Sequence, residues 1–236
     1  MKKIIYSALA LLLFGAATAK AQDTVETTVG TDFVSSYVWR GLELGDVSMQ
    51  PTLGVSYKGL SLSAWGSVGL SNPADTKELD LTLAYSVGGF NIGVTDYWFN
   101  AGLDPLNRYF KYAADETNHV FEANVGYDFG FASLQWYTNF AGNDGLTPTE
   151  KRAYSSYVEV NVPFVLGGVD WTATAGAVPF ATDFYGVEGF GVVNVALTAS
   201  KDIRITDSFS IPVFAQVAAN PYSKNAFFVF GITLRP

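Results

Sequence analysis

Leu79-Asp80-Leu81-Thr82-Leu83-Ala84-Tyr85-Ser86-Val87, then Gly88-Gly89, then Phe90-Asn91-Ile92-Gly93-Val94, is the stretch that decides the fold. Apolar side chains fall on every second residue before the glycine pair, and again after it. A period of two belongs to a strand with one apolar face, whereas a helix repeats at about 3.6. Two consecutive glycines supply the left-handed backbone that a two-residue hairpin turn requires. The stretch reads as two antiparallel strands joined by a tight turn.

The same alternation runs outward in both directions. Phe121-Glu122-Ala123-Asn124-Val125-Gly126-Tyr127-Asp128, Tyr157-Val158-Glu159-Val160-Asn161-Val162 and Val193-Asn194-Val195-Ala196-Leu197-Thr198 all repeat it. Twelve segments are counted, starting near residues 25, 48, 60, 78, 90, 119, 131, 152, 169, 190, 208 and 225. Most have about 10 residues, the length of a tilted strand crossing a bilayer. Their connections alternate between tight turns (Tyr57-Lys58-Gly59-Leu60, Gly88-Gly89, Phe129-Gly130-Phe131, Leu166-Gly167-Gly168, Thr206-Asp207-Ser208) and longer polar loops. The long loops are 40–47, 71–77, 100–118, 142–151 and 180–189, with Asn220–Lys224 joining the last pair. Short turns at one end and long loops at the other are expected of an outer-membrane barrel with its short side in the periplasm.

Alternation does not say which face is wet. A soluble barrel or sandwich alternates too, with its apolar side chains inside. Composition separates the two. The polar positions carry carboxylates and amides (Asp80, Glu122, Asn124, Gln135, Asn139, Glu159, Asn161) with almost no Lys or Arg. A crowded aqueous lumen suits them better than a solvated exterior. Trp98 and Trp171, near the ends of apolar faces, fit interfacial girdles.

The N-terminus supports export. Lys2 and Lys3 precede an apolar run from Ile4 to Ala17, and Ala19-Lys20-Ala21 closes it with small residues. This is the pattern of a Sec signal peptide cleaved before Gln22, too short for a spanning helix. The expected organisation is a signal peptide over 1–21 and a single transmembrane β-barrel over 22–236. Loss of Lys2, Lys3 and Lys20 leaves 11 basic against 22 acidic residues, a net charge of −11.

Composition excludes several function classes. The whole chain has 236 residues and a charge of −8, which argues against a nucleic-acid partner. It has no cysteine and one histidine, so a disulfide scaffold, a thiol nucleophile and a multi-His metal site are ruled out. No cofactor or metal site is expected. Asn143-Asp144-Gly145 is a turn signature and no calcium loop. Barrel acyl hydrolases need Ser, His and an orienting group, and no serine lies near His119 in sequence, so no enzymatic activity is expected.

Ser36-Tyr37-Val38-Trp39-Arg40-Gly41, followed by Gly45-Asp46 and Gln50-Pro51, resembles the N-terminal motif of the TorF-type porin family of Gram-negative bacteria. The resemblance is strong over about 25 residues and is continued by the general hairpin pattern. The closing segment Asn225–Leu234 alternates as well, although the chain ends in Pro236 and lacks the terminal Phe common in outer-membrane proteins. The resemblance implies an exported, channel-like outer-membrane barrel. The implied partners are outer-membrane lipid and lipopolysaccharide, the barrel-assembly machinery during insertion, and small solutes.

With the apolar face toward lipid, parity places Glu26, Asp32, Asp80, Glu122, Asp128, Glu159 and Asp170 in the lumen, with Asn91, Asn124, Asn139, Asn161, Asn194, Gln135 and Gln216. Excess carboxylate inside a low-dielectric wall attracts cations, so a cation-preferring pore is expected. The alternative is a closed barrel in which these groups bond to one another and nothing passes. Trp65, Tyr97, Phe99, Tyr137, Tyr157, Phe214 and Phe227 share the luminal parity. Tyr37, Trp39, Tyr137 and Tyr157 are candidates for stacking on a small polar solute, though filler is the commoner use of inward rings. Arg40 is expected to pair with Asp32, Asp46 or Asp128 and pin the first loop, or else to set selectivity. Loops 40–47 and 100–118 are expected to narrow the mouth. Asp75, Glu78 and Asp80 read as loop solvation or calcium-bridged lipopolysaccharide contacts.

Two places break the pattern. Asp96 shares the lipid-face parity of Phe90, Ile92, Val94 and Trp98, which calls for a bulge or a position at the rim. The first strand switches parity between Phe33 and Val34, which a bulge would explain and which would turn Tyr37 and Trp39 inward.

Overall fold

A computed structural model of the chain describes residues 24–72, 74–75, 77–100, 108–113 and 116–236. The signal-peptide residues expected at 1–21 lie outside them. Among the described residues there is no helix, and twelve strands close into one antiparallel barrel. These wall strands are β1 (Glu26–Val34), β4 (Ser48–Tyr57), β5 (Leu60–Gly69), β6 (Lys77–Val87), β7 (Phe90–Asn100), β8 (His119–Asp128), β9 (Ser133–Gly142), β10 (Ser156–Leu166), β11 (Val169–Val178), β12 (Gly191–Arg204), β13 (Ser210–Asn220) and β14 (Asn225–Leu234). Two short strands, β2 (Tyr37–Trp39) and β3 (Leu42–Gly45), form a separate hairpin between β1 and β4. Each wall strand pairs with its chain neighbour, and β1 closes the ring against both β4 and β14.

The local physics is that of hairpins. Gly88 and Gly89 take φ of 55° and 87°, so β6 and β7 meet in a turn with both central residues left-handed. Its twist matches that of the flanking strands. The resulting β6–β7 ladder runs through eleven residue pairs, from Lys77↔Asn100 to Val87↔Phe90.

Exposure along β6 answers the question that alternation leaves open. Leu83 is 53% exposed, whereas its neighbours Thr82 and Ala84 are 4% and 7% exposed. Leu53, Leu62, Ile92, Val125, Leu197 and Phe230 likewise lie exposed on the outside. The barrel is apolar outside and polar inside, the reverse of a soluble barrel, and this is the arrangement of a strand-built membrane span.

Both breaks in the pattern have a physical resolution. The β7–β8 register is continuous from Phe90↔Tyr127 to Trp98↔His119, so no bulge rescues Asp96. It sits near the long-loop end with its carboxylate against His119. The β1–β4 register is also unbroken, from Glu26↔Ser56 to Val34↔Ser48, so the expected bulge at Phe33 is absent. Instead β1 stops at Val34, and the chain then turns into the barrel as the β2–β3 hairpin. Val34 faces inward because it packs on Phe214, Val229 and Val38 of that hairpin.

The loops divide differently from expectation. The first loop fills the mouth. In loop 100–118, residues 101–107 and 114–115 lie outside the described set. The rest lies on the outer wall, where the Tyr109 ring meets Trp98 at 5.4 Å and Tyr112 stacks on His119 at 4.3 Å. The described part of this loop does not enter the lumen.

Candidate functional site

Trp39 pairs with Leu42 across the hairpin tip, leaving Arg40 and Gly41 as its two turn residues. Both are left-handed, at φ of 49° and 76°. Only Gly fits at 41, since a Cβ there would stand 1.9 Å from the carbonyl oxygen of Val193. Arg40 occupies a conformation that ordinary side chains avoid, and holds it because its side chain is engaged on every side.

The Arg40 guanidinium donates from Nη1 to Glu122 Oε2 at 2.6 Å and from Nη2 to Glu122 Oε1 at 2.9 Å. Nη1 also donates to the Tyr185 hydroxyl at 2.6 Å. Its central carbon lies 4.0 Å from the Tyr137 ring centre, 4.3 Å from Trp39 and 4.7 Å from Tyr157. A planar cation with a two-pronged carboxylate at its edge and rings around it is a charge-assisted, cation–π assembly. Burial opposes the guanidinium charge, and Glu122, with the Tyr185 and Tyr97 phenols, more than offsets it and raises the pKa. Burial pushes the Tyr185 phenol up.

A network extends from this centre. Tyr97 donates to Glu122 Oε1 at 2.8 Å. Tyr157 donates to Glu159 at 2.6 Å, Asn161 donates to the other oxygen of Glu159 at 2.8 Å, and Thr174 donates to Asn161. Asn220 donates to the carbonyl of Gly41 at 3.2 Å, tying the tip to β13. At the other end of the hairpin, Tyr37 donates to Glu78 at 2.9 Å and packs against Trp65. Loop 179–190 also enters, placing Phe184 and Tyr185 against Trp39.

The structure brings together Arg40, Glu122, Trp39, Tyr137 and Tyr157, with Glu159 and Asn161 behind them. Tyr37 and Asp80 lie to one side. Others of the expected lining stand apart. Asp32 accepts from Thr233 at the β1–β14 seam. Asn124 donates to Asn91 at 3.3 Å, and Asp128 accepts from Gly130 N in a tight turn. Asp170 is exposed at the short-turn end.

Three expectations are corrected. Arg40 pins the first loop, but to Glu122 and not to Asp32, Asp46 or Asp128. Glu78 and Asp80 are not loop-surface acids: both are buried in the lumen, at 6% and 5% exposed. Tyr37 and Trp39 face inward through a hairpin and not through a bulge. Sequence reasoning missed Tyr185 and Asn220. Tyr185 lies in a loop without periodicity, so nothing signalled it. Asn220 is the last residue of β13 and shares the inward parity of Gln216, which would have found it.

The packing has two zones. In the long-loop half every wall strand sends in a side chain less than one-tenth exposed, among them Gln50, Ser67, Tyr97, Asn139, Tyr157, Val178, Asn194, Gln216 and Val229. In the short-turn half Glu26 and Asp170 are exposed, and Asn91, Asn124 and Asp128 half-buried. A packed layer thus overlies a polar vestibule.

The family model described as "Bacterial protein of unknown function (Gcw_chp)" matches residues 16–188. The chain belongs to the Gcw_chp family. The Gcw_chp match takes in the hairpin, Arg40, Glu122, Tyr137, Tyr157 and Tyr185, and ends before β12. No curated protein matches the chain. Among solved structures, the crystal structure of Pseudomonas aeruginosa OccK9 (OpdG) is similar over 89% of this chain, at 12% identity and a TM-score of 0.34. This chain spans 62% of that one.

Proposed function

We propose that this Gcw_chp protein is a porin-like channel of the Gram-negative outer membrane, passing small polar solutes or cations, and closed at rest by its first loop. The observation that carries the reading is the inside-out barrel with the β2–β3 hairpin clamped across its lumen by Arg40 and Glu122. A barrel serving only as scaffold has no need of a left-handed arginine held by one carboxylate and three rings. The TorF-type resemblance at Ser36–Gly41 supports it, since that motif forms the plug. The signal-peptide pattern supports Sec export and insertion by the barrel-assembly machinery. The outward apolar belt is suited to outer-membrane lipid and lipopolysaccharide.

The mechanism follows from charge. Arg40 neutralises Glu122, but Glu78, Asp80 and Glu159 make no ion pair among the described residues. Once the hairpin leaves, these carboxylates line the path, and the low-dielectric wall focuses their field in favour of cations. No enzymatic step enters this reading. His119 faces the outer wall, with its ring nitrogens at Asp96 and the Tyr109 carbonyl.

The test is single-channel recording of the refolded 22–236 chain in planar bilayers under a salt gradient, wild type beside Arg40→Ala. Rare cation-selective steps in the wild type and frequent, larger ones in Arg40→Ala are expected. Silence from both, as folded heat-modifiable barrels, overturns the channel reading. It would favour the second one, a non-conducting structural or surface-binding barrel, for which the packed luminal layer speaks.

A further inference from the structure

The part of the Arg40 clamp supplied by the wall strands and by Tyr185 of loop 179–190 lies wholly outside the hairpin. Glu122 presents both carboxylate oxygens to one planar fork, at 2.6 and 2.9 Å. The Tyr137 and Tyr157 rings approach the cation at 4.0 and 4.7 Å, and the Tyr185 hydroxyl accepts a third bond at 2.6 Å. Tyr97 donates to Glu122 and so fixes the carboxylate. None of these five groups belongs to the hairpin. Withdrawal of Arg40 would leave an anionic, aromatic-walled site that has lost its cation, a buried charge that demands another.

We propose that this cage is a binding site for guanidinium-bearing organic cations, with Arg40 as its resident occupant, and that a free guanidino solute competes with Arg40 and releases the hairpin. Release rests on the channel reading above, whereas binding does not. The chemistry selects guanidinium over ammonium. Two parallel N–H···O bonds to one carboxylate need a planar fork, and delocalised charge with weak hydration is what ring faces take best. Tethering makes Arg40 a strong competitor, so the free solute sees only the fraction of barrels in which the hairpin has lifted.

The experiment titrates the folded 22–236 barrel with methylguanidinium, methylammonium and neutral methylurea, read by calorimetry. Arg40→Ala is expected to bind methylguanidinium saturably, at least about tenfold tighter than either control. Wild type is expected to bind it about tenfold more weakly than Arg40→Ala does, and Arg40→Ala/Glu122→Gln not to bind it. Equal binding of the three probes, or none, by folded Arg40→Ala overturns the proposal. Hydrogen exchange on the wild-type chain tests it independently should that variant not fold. Exchange over 37–45 should accelerate with methylguanidinium and not with methylammonium, and identical exchange with both overturns it. Selective binding by a barrel that never conducts would leave the cage and remove the channel. Conduction by Arg40→Ala without selective binding would do the reverse.

Discussion

Asp96 and His119 form a pair on the outer wall, with Asp96 Oδ1 2.7 Å from His119 Nδ1. Nε2 of the same ring lies 2.5 Å from the Tyr109 carbonyl oxygen. Both ring nitrogens are therefore engaged, one by a carboxylate and the other by a main-chain carbonyl. A carboxylate on the lipid-facing side is tolerated because it is partnered and lies near the rim. His119 itself is wholly buried, under Tyr112 and beside Phe121.

The pair holds the described part of loop 100–118 to the wall. His119→Ala removes both anchoring bonds and leaves Asp96 without its partner, at a cost of about 1.5–3 kcal/mol. Limited proteolysis should then cut within 108–113 faster than in wild type. The barrel itself should keep its heat-modifiable gel shift, because the pair lies outside the lumen.

Leu83 and Asn124 offer a contrast between the two faces. Leu83→Arg places a charge near mid-strand on the lipid side and should destabilise folding into vesicles by about 2–4 kcal/mol. Asn124→Arg faces the polar vestibule and should cost far less, while moving the reversal potential toward anions. Urea titration in lipid vesicles reads the first, and bilayer recording the second.

Glu122 and Glu159 differ in what they hold. Glu122→Gln strands a buried guanidinium, so a loss of about 3–5 kcal/mol is expected. Glu159 has no cationic partner among the described residues, and Glu159→Gln keeps an oxygen for Tyr157. Its amide nitrogen cannot accept from Asn161, so the expected effect is a smaller cation preference at the cost of one hydrogen bond, about 0.5–1.5 kcal/mol. Equal destabilisation of the two variants would contradict the clamp.

Closure between β1 and β14 is the shortest in the ring, four residue pairs from Thr31↔Leu234 to Val34↔Gly231. Beyond it the chain turns inward, and a cleft of about 520 Å³ lined by Ser36, Glu43, Lys224 and Asn225 opens beside β14. The barrel should open first at this seam. The chain has no cysteine, so Asp32→Cys/Thr233→Cys introduces a single possible bridge, between residues directly opposite each other. Oxidation should stabilise by about 2–4 kcal/mol, read as a higher temperature for loss of the gel shift. A bridge across the eleven-pair β6–β7 ladder should add less, since that ladder is not where opening begins.

Much of the architecture is written in local pattern. Alternation placed all twelve wall strands, and most of their starts fall within two residues of those observed, because a period of two and a turn residue are properties of adjacent positions. Asp96 and Val34 broke the pattern for real reasons, a paired rim charge and an inward hairpin. Both reasons depend on residues distant in sequence, so the local reading replaced one of them with a bulge. Glu78 looked like loop surface because it adjoins a polar loop, yet Tyr37 approaches it across the lumen.

Strand number, the alternation of turns and loops, the acidic polar face and the oddity of Arg40 all follow from the order of residues alone. Which loop enters the barrel and which carboxylate Arg40 finds do not, and the outward turn of the apolar face, which composition favours, is fixed only when the ring closes. Arg40 and Glu122 stand 82 positions apart, and no spacing rule couples two residues at that distance. Closure of the ring aims the inward face of every strand at the same axis. Proximity across that axis, and with it the clamp, the buried carboxylates and the cage, exists only once the ring has closed.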